Sequence, residues 1–124
     1  MLKNEVKIKI LSSKVVSGQY GYHKQYYLQL VYKNNKYNFI FFDSVYNYQN
    51  NIKLDKENAL YCVLMDCQAY DDYTDIQDFA DAFGYEKIKD LFKAYNGCKK
   101  TSEALHNIFD NDELEQLYTE FENY

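Results

Sequence analysis

The spacing of apolar residues changes once along this chain, near residue 55, and that change constrains the fold more than any other feature. Before it, apolar and polar residues alternate, as in the run Val6-Lys7-Ile8-Lys9-Ile10, which is typical of half-buried strands. After it, apolar residues recur every three or four positions, which is typical of amphipathic helices. Strands that all precede the helices favour an α+β fold over an alternating α/β fold.

The first part of the chain predicts three strands. Residues 5–17 form the first strand, and Ser12-Ser13 marks a bulge or a break in it. Residues 25–33 and 36–45 form the two arms of a hairpin. Asn34-Asn35 is the predicted turn, because asparagine tolerates the left-handed backbone better than most residues.

The second part predicts helices on both sides of a polar linker. Asp55 is a suitable N-cap for a helix that ends near residue 69. Residues 70–74 form the linker. Asp75 caps a short helix, and Gly84 ends it, because glycine adopts the left-handed conformation at a helix end without steric cost.

Two further helices complete the chain. One covers residues 86–107, with a weak point at Asn96-Gly97. The last begins where Asp110 and Glu113 have the spacing of a capping box. We therefore predict one domain of 124 residues and α+β class, an antiparallel three-stranded meander followed by about four helices packed on one face.

Both faces of the predicted hairpin are apolar. Phe39 and Phe41 point to one face of the second arm, whereas Ile40 and Phe42 point to the other. One layer of helices covers only one of these faces. The second face is predicted to be a partner site or the contact of a two-fold homodimer, unless tyrosines or terminal segments cover it.

Charge divides the chain at nearly the same point as the periodicity. Residues 1–54 hold eight lysines and two acidic residues, a net charge of +6. Residues 55–124 hold six lysines and seventeen acidic residues, a net charge of −11. The predicted domain therefore has a β half and an acidic helical half. This separation favours attraction to a basic partner, although a solvated helix face without a partner has the same pattern.

The three cysteines and the chain's hydropathy predict a protein of a reducing cytoplasm. Cys62, Cys67 and Cys98 are odd in number and lack CxxC spacing, so we expect buried or half-buried thiols in a reducing compartment. The first residues lack the apolar run of a signal peptide. No stretch reaches the ~18–20 apolar residues of a membrane span.

Catalytic and metal-binding motifs are not found in the sequence. His23 and His106 are predicted to be surface histidines, and Cys98 is predicted to be a helix-core thiol. There is no HExxH motif, no calcium loop and no glycine-rich phosphate loop. We therefore expect no catalytic residue, no resident metal ion and no cofactor.

The acidic stretch that follows residue 69 is the candidate partner-binding surface. Aspartates that recur on neighbouring turns of one helix form a stripe. Tyrosine is enriched at interaction hot spots, so tyrosines beside this stripe are candidate anchors. The candidate binding residues are Tyr70, Asp71, Asp72, Tyr73, Asp75, Asp78 and Asp81.

The helical half also resembles a family of small uncharacterised phage and prophage proteins. The resemblance rests on Val63-Leu64-Met65-Asp66-Cys67-Gln68-Ala69, on Asp78-Phe79-Ala80-Asp81-Ala82-Phe83-Gly84-Tyr85 and on Lys93-Ala94-Tyr95-Asn96-Gly97-Cys98, and it spans about residues 26–121. It implies a phage or mobile-element accessory protein. Small phage proteins without an active site often bind host proteins. The anti-CRISPR inhibitors among them block the nucleic-acid channel of a defence nuclease with acidic side chains.

Two other functions are compatible with the sequence. A nucleic-acid-binding protein would use the lysines and tyrosines of the β half, since aromatic side chains on a basic sheet hold single strands. The chain has no arginine, which removes the bidentate contacts that dominate such recognition. An enzyme with an unfamiliar site is the third possibility. The preferred hypothesis is inhibition of a host defence nuclease by direct binding.

Overall fold

Residues from both halves of the chain share one hydrophobic core. The computed structural model describes residues 1–18, 21–73, 75–83 and 88–122. Its strands are β1 Lys7–Gly18, β2 Gly21–Tyr32 and β3 Asn35–Phe42. Its helices are α1 Val45–Gln49, α2 Ala59–Asp72, α3 Ile76–Phe83, α4 Ile88–Ile108 and α5 Asn111–Glu120, and a 3₁₀ turn at Leu2–Asn4 precedes β1. The predicted order of three strands followed by helices is confirmed.

The strands form one antiparallel sheet in the order β1-β2-β3, as predicted for a meander. The register of β1 against β2 shifts between Ile10 and Ser12. This shift confirms the predicted irregularity next to Ser12. Gly18 pairs with Gly21 at the end of this hairpin, and residues 19 and 20 lie outside the described part of the chain.

The second hairpin turn lies one residue earlier than predicted. Tyr32 pairs with Asn35, so Lys33 and Asn34 are the two turn residues. Both have positive φ angles, 50° and 64°, as a type I′ turn requires. The predicted turn at Asn34-Asn35 is therefore wrong by one position. The inward-facing residues of β2, which end with the buried Tyr32, decide the register here.

The helices pack against one face of this sheet, which confirms the predicted α+β layers. The core brings together alternate residues of the strands and the apolar stripes of α2, α4 and α5. Its fully buried members include Leu28, Leu30, Val63, Leu64, Cys67, Leu105 and Leu117.

The opposite face of the sheet is only partly apolar. Tyr27 and Ile40 lie there and are 41% and 37% exposed. Phe42 was predicted to share this face, but its ring is half-buried and packs against Gly97 of α4. β3 ends at Phe42, where α4 reaches the sheet, so this ring contacts the helix. Self-association through the outer face stays a prediction, and Ile40 is the residue at which to test it.

The chain between β3 and α2 differs from the prediction. The short helix α1 was not predicted; the Ser44 hydroxyl caps it by accepting a hydrogen bond from the Asn47 N–H at 3.0 Å. The carboxylate of Asp55 accepts hydrogen bonds from the N–H groups of Glu57 and Asn58, both at 2.9 Å. Asp55 thus caps the turn that leads into α2, and α2 itself begins at Ala59.

The capping box of α5 is confirmed. The carboxylate of Asp110 accepts a hydrogen bond from the Glu113 N–H at 2.8 Å, and that of Glu113 accepts one from the Asp110 N–H at 3.0 Å. The Tyr32 hydroxyl also donates to Glu113 and joins α5 to the sheet. At the other end of α5, Glu120 accepts a hydrogen bond from the Lys3 N–H at 2.9 Å.

The longest helix, α4, has 21 residues and continues through the predicted weak point at Asn96-Gly97. The Thr101 hydroxyl donates a hydrogen bond to the Gly97 carbonyl oxygen at 3.1 Å inside this helix. Within the described ranges, no helix combines the length and the apolar character that crossing a membrane requires. The predicted end of α3 at Gly84 lies outside the described residues.

Candidate functional site

Residues 70–72 of the predicted linker form the last turn of α2. This helix continues to Asp72, so Tyr70, Asp71 and Asp72 are helical. Negative charge at the C-terminal end of a helix is unfavourable, because the helix macrodipole places partial negative charge there. Asp71 and Asp72 therefore need compensation by other groups or exposure to water, and the two residues differ in this respect.

Asp71 is compensated by α4. The Ser102 hydroxyl donates a hydrogen bond to Oδ1 of Asp71 at 2.6 Å. Oδ2 of Asp71 lies 2.7 Å from Nε2 of His106. The Asp71 carboxylate thus joins α2 to α4. This position removes it from the set of carboxylates that are free to contact a partner.

The other four aspartates are exposed. Asp75 caps α3, since its Oδ1 accepts hydrogen bonds from the N–H groups of Gln77 at 2.8 Å and Asp78 at 3.3 Å. Asp81 accepts a hydrogen bond from the Gln77 side chain at 3.0 Å. Asp75, Asp78 and Asp81 follow one another at three-residue spacing, and Asp78 and Asp81 lie on the helix face away from the buried Phe79 and Ala80. We call Asp72, Asp75, Asp78 and Asp81 the acidic surface.

The acidic surface has no lysine partner among the described side chains. The ion pairs among the described side chains join Lys33 to Glu113 and His106 to Asp71, and neither includes a carboxylate of the acidic surface. Four neighbouring carboxylates without a basic partner repel one another, so a cationic partner would be attracted to them.

The two predicted aromatic anchors differ in accessibility. The ring of Tyr70 packs edge-on against that of Tyr95 on α4, with 5.4 Å between ring centroids. Tyr73 follows α2 directly and is 37% exposed. The fold therefore uses Tyr70 to hold α2 against α4 and leaves Tyr73 accessible next to the acidic surface.

Asp71 also belongs to a cluster that the sequence did not predict. Cys67 and Asp71 are four residues apart on α2, and Ser102 and His106 are four residues apart on α4, so each pair shares a helix face. The Cys67 thiol donates to Oδ2 of Asp71 at 3.6 Å. The Cys67 sulfur, an Asp71 carboxylate oxygen and a His106 ring nitrogen all lie within 4.8 Å of one another.

The order of contacts in this cluster does not activate a nucleophile. In a serine hydrolase triad, histidine lies between serine and aspartate and accepts the serine proton. Here the aspartate lies in the middle, and the Ser102 hydroxyl donates its hydrogen bond to Asp71 rather than to His106. The Cys67 side chain is fully buried, and burial raises the pKa of its thiol to about 11. A protonated thiol is a poor nucleophile.

A buried tyrosine hydroxyl borders the cluster. The Tyr118 oxygen on α5 is inaccessible to water and has no hydrogen-bond partner of standard geometry. Burial raises the pKa of Tyr118, and a contact with the Cys67 thiol raises it further. A thiol is a weak hydrogen-bond acceptor, so Cys67 satisfies this buried hydroxyl poorly.

The prediction of two surface histidines is right for His106 and wrong for His23. The His106 side chain is 40% exposed. His23 is only 9% exposed, because it lies inside β2, opposite Val16 of β1, rather than in a turn. The sequence contained one signal for the cluster of Cys67, Asp71, Ser102 and His106, namely two pairs of polar residues at four-residue spacing. Whether the two pairs contact each other depends on how α2 packs on α4, which local periodicity does not encode.

The lysines and tyrosines of the β half divide between the two sides of the sheet. Tyr26 and Tyr32 are buried in the core. Tyr27 is exposed on the outer face, where it borders a shallow depression that is also lined by Lys14, Gln25 and Ile40. Tyr20 lies outside the described residues.

Comparison of this chain with protein-family models, with curated proteins and with solved structures gave no match.

Proposed function

We propose that this protein acts by binding, and that its acidic surface occupies a basic, nucleic-acid-binding groove of a host protein. The observation that supports this is the exposure of Asp72, Asp75, Asp78 and Asp81 without a lysine partner among the described side chains. Lysine- and arginine-lined grooves attract such surfaces, and complementary charge raises both association rate and specificity.

A defence nuclease of the host, such as a CRISPR effector, is the proposed partner. Its nucleic-acid channel has the required basic lining, and the resemblance to small phage proteins favours a partner of this kind. The net charge of −11 over residues 55–124 gives long-range attraction, while the +6 of residues 1–54 would orient the protein with its helical half forward. Tyr73 supplies an exposed aromatic ring beside the carboxylates.

The test separates charge from fold. One variant combines Asp72→Lys, Asp78→Lys and Asp81→Lys with Asp75→Asn, because asparagine retains the capping acceptor of α3 while removing its charge. Asp71 is left unchanged, since its carboxylate holds α2 to α4. Lysine at position 72 suits the C-terminal end of α2, whereas Asp78→Lys places a cation in the first turn of α3, so circular dichroism is used to check that the variant keeps its helices.

The control variant makes the same change in net charge elsewhere. It combines Glu57→Lys, Glu103→Lys and Glu115→Lys with Asp112→Asn, all at exposed positions. Both variants are used in pull-downs with candidate defence nucleases and in assays of nucleic-acid cleavage. We expect the first variant to lose binding and inhibition by at least about tenfold and the control to retain them. Equal binding by the wild type and the first variant would exclude the acidic surface.

Single-stranded nucleic acid is a second candidate ligand, because Tyr27 is exposed on the outer face of the sheet next to Lys14. Aromatic stacking contributes about 1–3 kcal/mol per base. Fluorescence anisotropy with labelled single-stranded DNA at low salt tests this candidate. Binding that weakens with salt and is lost in Tyr27→Ala would support it, and absence of binding at micromolar protein would exclude it.

A further inference from the structure

Three side chains with metal-ligating atoms lie close together where α2 packs against α4, beside α5, and this is the group of possible metal ligands found among the described residues. Cys67 and Asp71 supply a sulfur and an oxygen from one face of α2. His106 supplies a ring nitrogen from the last turn of α4. Facing helices that project ligating side chains toward each other are a common framework for metal sites in helical proteins.

We propose that Cys67, Asp71 and His106 bind one Zn²⁺ ion through Sγ, Oδ2 and Nε2. The donors determine the choice of ion. Thiolate and imidazole ligands favour zinc and related transition metals, whereas Ca²⁺ and Mg²⁺ require shells of oxygen ligands. Three protein ligands leave the fourth position of a tetrahedral ion for water.

The ligand distances approach those of a tetrahedral zinc ion, in which Sγ of Cys67 and Nε2 of His106, here within 4.8 Å of each other, would lie about 3.6 Å apart. Ordinary zinc bond lengths place ligand atoms about 3.6 Å apart for sulfur and oxygen and about 3.3 Å apart for nitrogen and oxygen. Sγ of Cys67 already lies 3.6 Å from Oδ2 of Asp71. Oδ2 lies 2.7 Å from Nε2 of His106, so these two atoms must separate by roughly half an ångström. The Asp71 and His106 side chains are 33% and 40% exposed, which allows that movement.

Ser102 holds the Asp71 carboxylate in the orientation that a metal ion requires. Its hydroxyl is hydrogen-bonded to Oδ1 at 2.6 Å, and Oδ2 is thereby turned toward Cys67 and His106. Ser102 is only 2% exposed, so its position is fixed by packing. Hydrogen bonds that orient a ligating carboxylate typically raise metal affinity by about 10–100-fold.

The Tyr118 hydroxyl also faces this cluster. Its oxygen is inaccessible to water, has no hydrogen-bond partner of standard geometry, and has the Cys67 thiol as its neighbouring polar group. When a metal ion binds, Cys67 loses its proton to solvent and becomes a thiolate, which accepts hydrogen bonds far better than a thiol. The Tyr118 hydroxyl would then have a strong acceptor in place of a weak one. A surface ion pair between Asp71 and His106 alone does not explain why the Cys67 sulfur is buried beside them.

The test uses the full chain after removal of metal with a chelator. Zn²⁺ binding is measured by competition with a chromophoric chelator. Co²⁺ is the spectroscopic probe, because a cysteine ligand produces a sulfur-to-cobalt charge-transfer band. We expect one ion per chain, a charge-transfer band, and a zinc-dependent rise in melting temperature.

Ligand variants and matched controls determine which residues bind the ion. Cys67→Ala should abolish the charge-transfer band. His106→Ala should weaken binding at least tenfold, while Ser102 still holds the Asp71 carboxylate against α4. Ser102→Ala should weaken it about 10–100-fold. The controls are Cys98→Ala and Asp72→Asn, a half-buried thiol and an exposed carboxylate outside the cluster, and they should bind as the wild type does. Absence of binding at about 100 µM Zn²⁺, or binding that survives His106→Ala, would overturn the proposal.

Discussion

The Ser102 hydroxyl donates a 2.6 Å hydrogen bond to Oδ1 of Asp71, and the two residues are 31 positions apart in the chain. This contact crosses from α4 to α2 and ends on a carboxylate. Hydrogen bonds to charged groups contribute about 1.5–3 kcal/mol, more than neutral ones. The contact therefore stabilises the packing of the two helices independently of any ligand.

We expect Ser102→Ala to lower the free energy of unfolding by about 1–2 kcal/mol in the presence of a metal chelator. The value should fall near the lower end for a charged acceptor, because Asp71 is a third exposed and water replaces part of the lost hydrogen bond. Urea denaturation at neutral pH measures the change. Ser13→Ala, at an exposed position of β1, is the control and should remain within about 0.5 kcal/mol of the wild type.

The sheet and the later helices were predictable from the sequence because their residues alternate between core and solvent. In β2, the inward residues Tyr26, Leu28 and Leu30 are buried while Tyr27 between them is exposed. The same logic applies to α5, whose capping box is local in sequence. Local patterns therefore encoded the fold class and most element positions.

The features that were missed depend on tertiary contacts or on short segments. The five residues of α1 are too few to show a helical period. The role of Asp71 required knowledge that α2 lies against α4, since Ser102 and His106 are more than thirty residues away. From the sequence, Asp71 and Asp72 were both predicted to be surface carboxylates, and nothing local indicated that Asp71 contacts α4 while Asp72 is exposed.

Asp66 should make the stability of the protein depend on pH. Burial of its carboxyl group, and then the charge of Asp43, raise its pKa from 3.8 to about 7. Between about pH 4 and pH 7 the folded protein keeps a proton that the unfolded chain has lost. The contribution of Asp66 to stability is therefore complete below pH 4 and is lost as the pH rises through 7.

The Asp66→Asn variant tests this pH dependence, because asparagine resembles the protonated acid. Each unit of pKa difference corresponds to about 1.4 kcal/mol, and Asp66 is partly accessible to water, so we expect a gain of about 1–3 kcal/mol at pH 8. At pH 4 the variant and the wild type should be equally stable. Urea denaturation at both values measures the difference, with the exposed Asp78→Asn as the control. A gain that is equal at pH 4 and pH 8 would contradict the assignment.

The three thiols should react slowly with alkylating agents in the folded protein. Burial raises the pKa of Cys62 and Cys67 to about 11 and that of Cys98 to about 12. At pH 8 fewer than about one in a thousand of such thiols is ionised, against roughly a quarter of a free cysteine with an ordinary pKa. Mass spectrometry after timed iodoacetamide treatment measures the rates. The protein unfolded in guanidinium should be modified at all three positions, and rapid modification of any of them in the folded state would contradict the prediction.

Gly97 should be a packing position rather than a weak point of α4. A Cβ atom at this position would lie 3.3 Å from Cδ2 and 3.4 Å from Cβ of Phe42, which is tighter than ordinary contact. Glycine inside a helix costs about 0.5–1 kcal/mol relative to alanine. We expect Gly97→Ala to change the free energy of unfolding by less than about 1 kcal/mol, because the gain in helix propensity and the crowding of Phe42 oppose each other.

Gly97→Leu should destabilise the protein by about 1–3 kcal/mol, because the larger side chain forces Phe42 or α4 out of place. Asn96→Leu, at the exposed neighbouring position, is the control and should have little effect. The decisive measurement is a double-mutant cycle with Phe42→Ala, followed by thermal and urea denaturation. Removal of the ring should make Gly97→Leu less costly by about 1 kcal/mol or more. If Gly97→Leu lowers the free energy of unfolding equally in the wild type and in Phe42→Ala, contact with the Phe42 ring does not explain the need for glycine at position 97.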